Sequence, residues 1–152
     1  MLIQDIITAF KTTALSHRNI ESFDIGDSYL IDGNLAHEYP KFFMETPFQI
    51  QWNEKKQPYY TLSFAFYVLM NKLEDNTLDQ LQGVSDSALI TEQILAKMDS
   101  DFSNMFGIES CNSLTYNDMS NEGLSTTRTD ITLIVLKNVC DDEDNLGEIF
   151  SK

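Results

Sequence analysis

Apolar and polar positions alternate along this chain with two different periods, and the change of period marks out the elements. Leu2, Ile3, Ile6, Ile7, Phe10 and Ala14 share one stripe of a helical wheel, with Gln4, Asp5, Lys11 and Thr12 opposite, which predicts a helix over residues 2–16. Phe23, Ile25 and the run Tyr29, Leu30, Ile31 flank Gly26 and Asp27. This reads as a short strand pair or one bent strand at the first edge of a sheet, closed by the turn residues Asp32, Gly33 and Asn34. Past a polar linker around His37, Phe42 to Glu45 and then Phe48, Ile50 and Trp52, alternating with Gln49, Gln51 and Asn53, predict a second strand region. Pro47 has no N–H to donate, so it marks an edge or a bulge there.

A polar connection from Asn53 to Pro58 leads into the cleanest alternation in the chain, Tyr59 to Met70. Leu62, Phe64, Phe66, Val68 and Met70 point one way. Tyr59, Thr61, Ser63, Ala65, Tyr67 and Leu69 point the other, and this mixed face suits a protein partner or a half-wet groove as well as it suits pairing across the sheet. Thr77 and Gln80 have capping-box spacing, and Leu78, Leu81, Val84, Ala88, Thr91, Leu95, Met98 and Phe102 recur every three or four residues, predicting one long helix. Gly83 costs that helix about 0.8–1 kcal/mol relative to alanine, so its first turns are expected to fray or stand apart, with Ser85, Asp86 and Ser87 offering a second N-cap. After Asn104 to Gly107 comes a hairpin of Ile108–Tyr116 and Ser125–Asn138 with a polar tip at Asn117 to Gly123. Ile131, Leu133 and Val135 alternate with Thr132, Ile134 and Leu136, so the last strand is apolar on both faces and belongs in the centre of the sheet or beneath a helix.

The expected fold class is therefore α+β: an antiparallel or mixed twisted sheet of four to six strands, with the N-terminal helix and the long helix packed on one face. Residues 1–140 are expected to form a single domain, and residues 141–152 an acidic C-terminal tail. A chain of 152 residues is long enough to bury a core without metal or disulfide staples. Its 42% hydrophobic residues, with ten Phe and six Tyr, outweigh a net charge of −14 that would otherwise point to disorder. Ten scattered Lys and Arg against twenty-four Asp and Glu argue against gripping a phosphate backbone. The N-terminal segment lacks a basic region and a long apolar run and is expected to remain in the mature protein. No run approaches the ~20 apolar residues that cross a bilayer, so a soluble protein without a membrane partner is expected.

Chemistry is sparse. Cys111 and Cys140 are too few and too far apart for a zinc site or a disulfide framework, which fits a reducing compartment. Neither His17 nor His37 has the sequence neighbours of a triad or a metal site, and the six glycines form no phosphate loop. Asp141, Asp142, Glu143 and Asp144 evoke calcium, but a loop opened at Asp141 requires Gly where Leu146 stands and Glu where Lys152 stands. A solvated tail fits better. Its apolar Leu146, Ile149 and Phe150 are candidates to dock on a neighbouring subunit or to fold back on their own. No catalytic residue, metal or cofactor is expected. The candidate subunit interface comprises Tyr59, Tyr67, Leu69, Leu146, Ile149 and Phe150.

The order of helix, edge strand, hairpin, acidic turn, long helix and final hairpin, carried by YPKFFMETPFQIQW, YYTLSFAFYVLMNKLEDN, GVSDSALITEQILAKMDSDF and TTRTDITLIVLKNVC, resembles the tail-completion or tail-terminator proteins of the tailed-bacteriophage neck, including those of crAss-like phages. The likeness spans about Tyr39 to Cys140. It rests on the pattern of elements, the aromatic hairpin strand and the Ser85-Asp86-Ser87 helix entry. The acidic ending and the long tip at Asn117 to Gly123 have no counterpart in that pattern. The resemblance implies a twisted sheet with helices on one face, no catalytic residues, and copies joined in a ring of six or twelve. Such a ring would lie in the neck or tail of the virion, assembled in the bacterial host cytoplasm, against portal, connector or other tail ring proteins. Genomic DNA would pass through its lumen without specific binding, as a strongly negative wall allows. The alternative is a soluble acidic adaptor or inhibitor that binds a basic protein.

Overall fold

Two helices lie on one face of a five-stranded mixed sheet in the computed structural model, which describes residues 2–28, 31, 38–54, 57–70, 77–119 and 124–137. In chain order the elements are α1 (Ile3–Ser16), β1 (Ser22–Gly26), β2 (Lys41–Trp52), β3 (Tyr59–Met70), α2 (Thr77–Phe102), β4 (Phe106–Met119) and β5 (Leu124–Leu136). The strands are ordered β1-β2-β3-β5-β4; β1 runs parallel to β2 and every other pairing is antiparallel. The α+β expectation is met with five strands. β1 takes the edge position expected of it as a single strand, and Ile31 is helical. Tyr29, Leu30, the turn at 32–34 and His37 lie outside the described residues.

α1 forms because its apolar positions recur at helical spacing and Asp5 reaches back to accept a hydrogen bond from the Leu2 N–H at 3.0 Å, satisfying one orphan donor at the N-terminus. Ile6, Ala9, Phe10, Thr13 and Ala14 are buried. Phe10 is the centre of the packing: its ring lies 5.3 Å from Phe64 edge-on, 5.9 Å from Phe66, 6.2 Å from Phe42 and 6.4 Å from Phe106. The even-numbered side chains of β3 face this cluster together with Ile131, Leu133 and Val135 of β5, so the helices cover the face that the alternation predicts. β5 lies between β3 and β4, with Ile131, Leu133 and Val135 buried under the helices, whereas on its other face Ile134 is half-buried and Leu136 exposed.

β2 is one strand with an irregularity: Glu45 pairs with Ala65 and Gln49 with Ser63, four steps on one strand against two on the other. Pro47 sits in this bulge, where its missing donor costs no ladder bond, and the Tyr39-Pro40 and Thr46-Pro47 bonds are cis. The β2–β3 turn is pinned by Asn53 Nδ2 donating to the Tyr59 carbonyl at 3.0 Å.

α2 departs from the sequence reading in two ways. It runs unbroken from Thr77 through Gly83, and its buried line is Gly83, Ser87, Ile90, Thr91, Ile94 and Met98, rotated away from Leu81, which is exposed. The physical reason is a seam of small side chains. An ideal Cβ on Gly83 would lie 2.7 Å from Ser125 Oγ and 2.8 Å from Ser125 Cβ, so this turn of the helix comes too close to β5 for any side chain. Ser125 Oγ donates to the Gln80 carbonyl at 3.0 Å, and the Ser87 and Thr127 hydroxyls meet at 2.7 Å, which satisfies the polar groups that such closeness buries. Ser87 is therefore inside the helix and does not cap it.

Two outcomes follow for equilibrium denaturation. Phe10→Ala should lower stability by about 3–5 kcal/mol through the cavity it opens. Gly83→Ala, which helix propensity alone would make stabilising by about 0.8–1 kcal/mol, should instead destabilise by about 1–3 kcal/mol, because the seam with Ser125 has no room for the methyl group.

Candidate interaction surface

The sheet face opposite the helices is built from the odd-numbered residues of β3 and their partners, and it divides into three bands along the strands. Where β2 begins, Phe43, Tyr67, Leu69 and Leu124 pack with Tyr39 and Ile31 into a small second core. Lys41, only 2% exposed, neighbours this core. Its Nζ lies 2.7 Å from Asp24 Oδ2 of β1 and 5.8 Å from the centre of the Tyr39 ring, so the ion pair fastens the edge strand to the sheet.

The middle band is a polar chain. Arg128 donates through Nε to the Tyr67 hydroxyl at 3.1 Å, through Nη1 to Asp130 at 2.7 Å and through Nη2 to Glu45 at 3.4 Å, while the Tyr67 hydroxyl donates to Glu45 at 3.2 Å. Burial pushes the Tyr67 phenol above its ordinary value; the Arg128 hydrogen bond pulls the other way, and the Glu45 charge adds to the rise. Partial burial opposes the charge on Arg128, but Tyr67 and Asp130 more than offset it, and the guanidinium is held above its usual range. The third band is open and uncharged: Gln49, Gln51, Thr61, Ser63 and Thr132, with the Ser63 and Thr132 hydroxyls 2.9 Å apart. A shallow groove of about 440 Å³ runs from Arg128 and Asp130 across Ser63 to Gln49 and Asn112.

Of the residues singled out from the sequence, Tyr67 is 4% exposed and Leu69 is fully buried, both within the second core, so the chain itself covers them. Tyr59 is half-buried and pairs with Leu136 at the far end of the sheet. Leu146, Ile149 and Phe150 lie outside the described residues, as do Cys140 and the Asp141–Asp144 run. His17 caps α1 with Nε2 2.7 Å from Gln93 Oε1. Cys111 is half-buried in β4 and burial pushes its thiol up, away from the reactive thiolate.

The exposed apolar residues on the open face are Leu114 and Tyr116 of β4 at one edge and Leu136 of β5 at the far end. The sequence reading did not single them out, nor did it find the Arg128 chain. Its trace was the Arg-x-Asp spacing of Arg128 and Asp130, which on a strand puts both on one face. Among the described residues no helix is long and apolar enough to cross a membrane. No protein-family model matches the chain, and no curated protein matches it either.

Tyr67→Phe should cost about 1–2 kcal/mol, since it removes one hydroxyl that both gives and takes a partly buried hydrogen bond to a charged group. The folded state holds the Tyr67 proton more tightly than the unfolded chain, so this contribution is complete below about pH 10 and is lost as the pH rises through the raised value. Denaturation midpoints measured between pH 8 and pH 11 should therefore fall less steeply at the alkaline end in Tyr67→Phe than in the parent.

Proposed function

We propose that this protein is a structural subunit of a ring in the head-to-tail neck or tail of a tailed bacteriophage, joining portal or connector to tail while DNA passes through. The observation that carries this reading is the free edge of the sheet. β4 is fourteen residues long, pairs on its inner side with β5, and has no strand beside its outer side among the described residues. It contains neither Lys nor Pro, and between its two irregularities, at Ile108/Ser110 and Tyr116/Met119, the run from Ser110 to Tyr116 pairs regularly and carries no charge that would blunt the edge. β1 leaves a second, shorter edge on the opposite flank. Two unlike flanks on one subunit are what a head-to-tail contact needs, and such contacts close into rings when the rotation fits.

The charge supports the same reading. The subunit carries a net −14, and two of its described cations, Lys41 and Arg128, are already paired to Asp24, Glu45 and Asp130. Exposed Lys11, Arg18 and Lys97 leave the surface acidic only on balance, and a channel wall of that net sign would repel phosphates and let DNA slide.

Electron microscopy and mass photometry of the purified protein, alone and mixed with portal complexes, test this. Closed rings of six or twelve copies are expected, free or seated on the portal. Leu114→Lys, at a side chain 58% exposed on the edge strand, should abolish them while leaving thermal stability nearly unchanged. Monomers in both conditions, with salt-sensitive binding to a basic protein, would overturn the ring and leave the acidic adaptor.

A further inference from the structure

A trough of about 760 Å³ runs between the outer side of α1 and β1, floored by Ile7, Leu15, Phe23 and Ile25 with Lys11 on its wall. Leu15 is 44% and Ile25 38% exposed, so apolar surface here stands in contact with water. Among the described residues the lining contains no carboxylate and Lys11 makes no ion pair. On a chain of net charge −14, an apolar trough with an uncompensated cation and no acid is an unusual surface.

The same chain holds a segment of complementary pattern. Asp141, Asp142, Glu143 and Asp144 are followed by Leu146, Ile149 and Phe150, apolar residues spaced i, i+3, i+4, the spacing by which one helical turn presents a single apolar ridge to a groove. Carboxylates ahead of that ridge are placed to meet Lys11 and favour the first turn of a helix. Two of the other cavities, on the open sheet face and beside Pro40, each carry two carboxylates against a single arginine, a net acidic lining that disfavours this segment. The cleft at the end of α1 offers His17, Arg18 and Lys97 but only Ile94 as an apolar floor.

We propose that the α1–β1 trough is the docking site for residues 141–150 of a neighbouring copy. The strand register favours the neighbour. Ile25 is level with Met44, Phe66 and thus Thr129, so Leu136 lies seven residues further along β5 and three strands across, roughly 27 Å away in a straight line. The nine steps from Lys137 to Leu146 cover about 30–32 Å fully extended, with no slack for a path around the end of the sheet. The docking rests on the ring reading only in requiring that copies meet.

The test titrates a fluorescently labelled synthetic peptide of residues 141–152 into full-length protein whose own segment is disabled by Ile149→Asp and Phe150→Asp. Saturable binding is expected by anisotropy. It should weaken at least ten-fold when Leu15→Asp and Ile25→Asp are added, and Lys11→Gln should weaken it while removing the share of its salt dependence that comes from that charge. Circular dichroism checks the folding of each variant, and Lys11, being exposed, keeps the test decisive if the Leu15 and Ile25 changes unfold the chain. Absence of binding, or equal binding to the trough variants, would overturn the proposal. So would a parent protein that is monomeric at the concentration used and yet excludes the peptide, since its own segment would then be the occupant. Rings without peptide binding would remove this docking alone; peptide binding without rings would remove the ring alone.

Discussion

Everything in this fold is organised around one ring, Phe10, set against the even-numbered face of β3. Its four aromatic neighbours come from β2, β3 and β4, elements far apart in the chain, so α1 can seat itself only when the sheet already has its curvature and register. Conversely, the sheet has a large apolar face that water would cover if α1 were absent. The stacked pairs Phe42 with Phe66 at 4.9 Å and Phe102 with Phe106 at 5.8 Å extend the same contact to β2 and to the end of α2. Aromatic rings in offset and edge-on geometry add specificity to area, and that specificity fixes how the helical layer lies across the strands.

Much of this was legible in advance where one residue type repeats at a simple period. Tyr59 to Met70 alternates without interruption, and all of its even positions from 60 to 68 are buried as that alternation requires. The acidic and polar composition of the connections also placed most strand ends to within a few residues. On α2, Thr91 and Met98 are buried on the predicted stripe and Leu95 and Phe102 pack against the core, but the N-terminal half was misread at Leu81, since the contact line there is Gly83 and Ser87 against Ser125 and Thr127. Hydroxyls that satisfy one another do not register as core in any hydrophobic pattern. Tyr67 and Leu69 looked like a surface for the same kind of reason. Their cover comes from Tyr39 and Ile31, which are distant in sequence and reach them only through the tertiary fold.

The two faces of the sheet are held by different physics. The helical side is apolar and dense, and its stability comes from excluded water. The opposite side relies on buried Lys41 paired with Asp24 and on the partly exposed Arg128 chain. Pairs of this kind add modest net stability but penalise any register other than the one that joins them. A slip of one residue in β2 or β5 would strand Lys41 or Arg128 without its acid.

The position of β5 has a consequence for how the chain comes off the ribosome. Among the described residues it is the last strand made, yet it lies inside the sheet, between β3 and β4. Until its residues emerge, β3 keeps a bare edge beside an incomplete aromatic core, and β4 has no strand to pair with. The sheet therefore cannot close before residues 124–136 have emerged, and a nascent chain stalled short of residue 124 exposes the sticky hydrogen-bonding rim of β3 that β5 later hides.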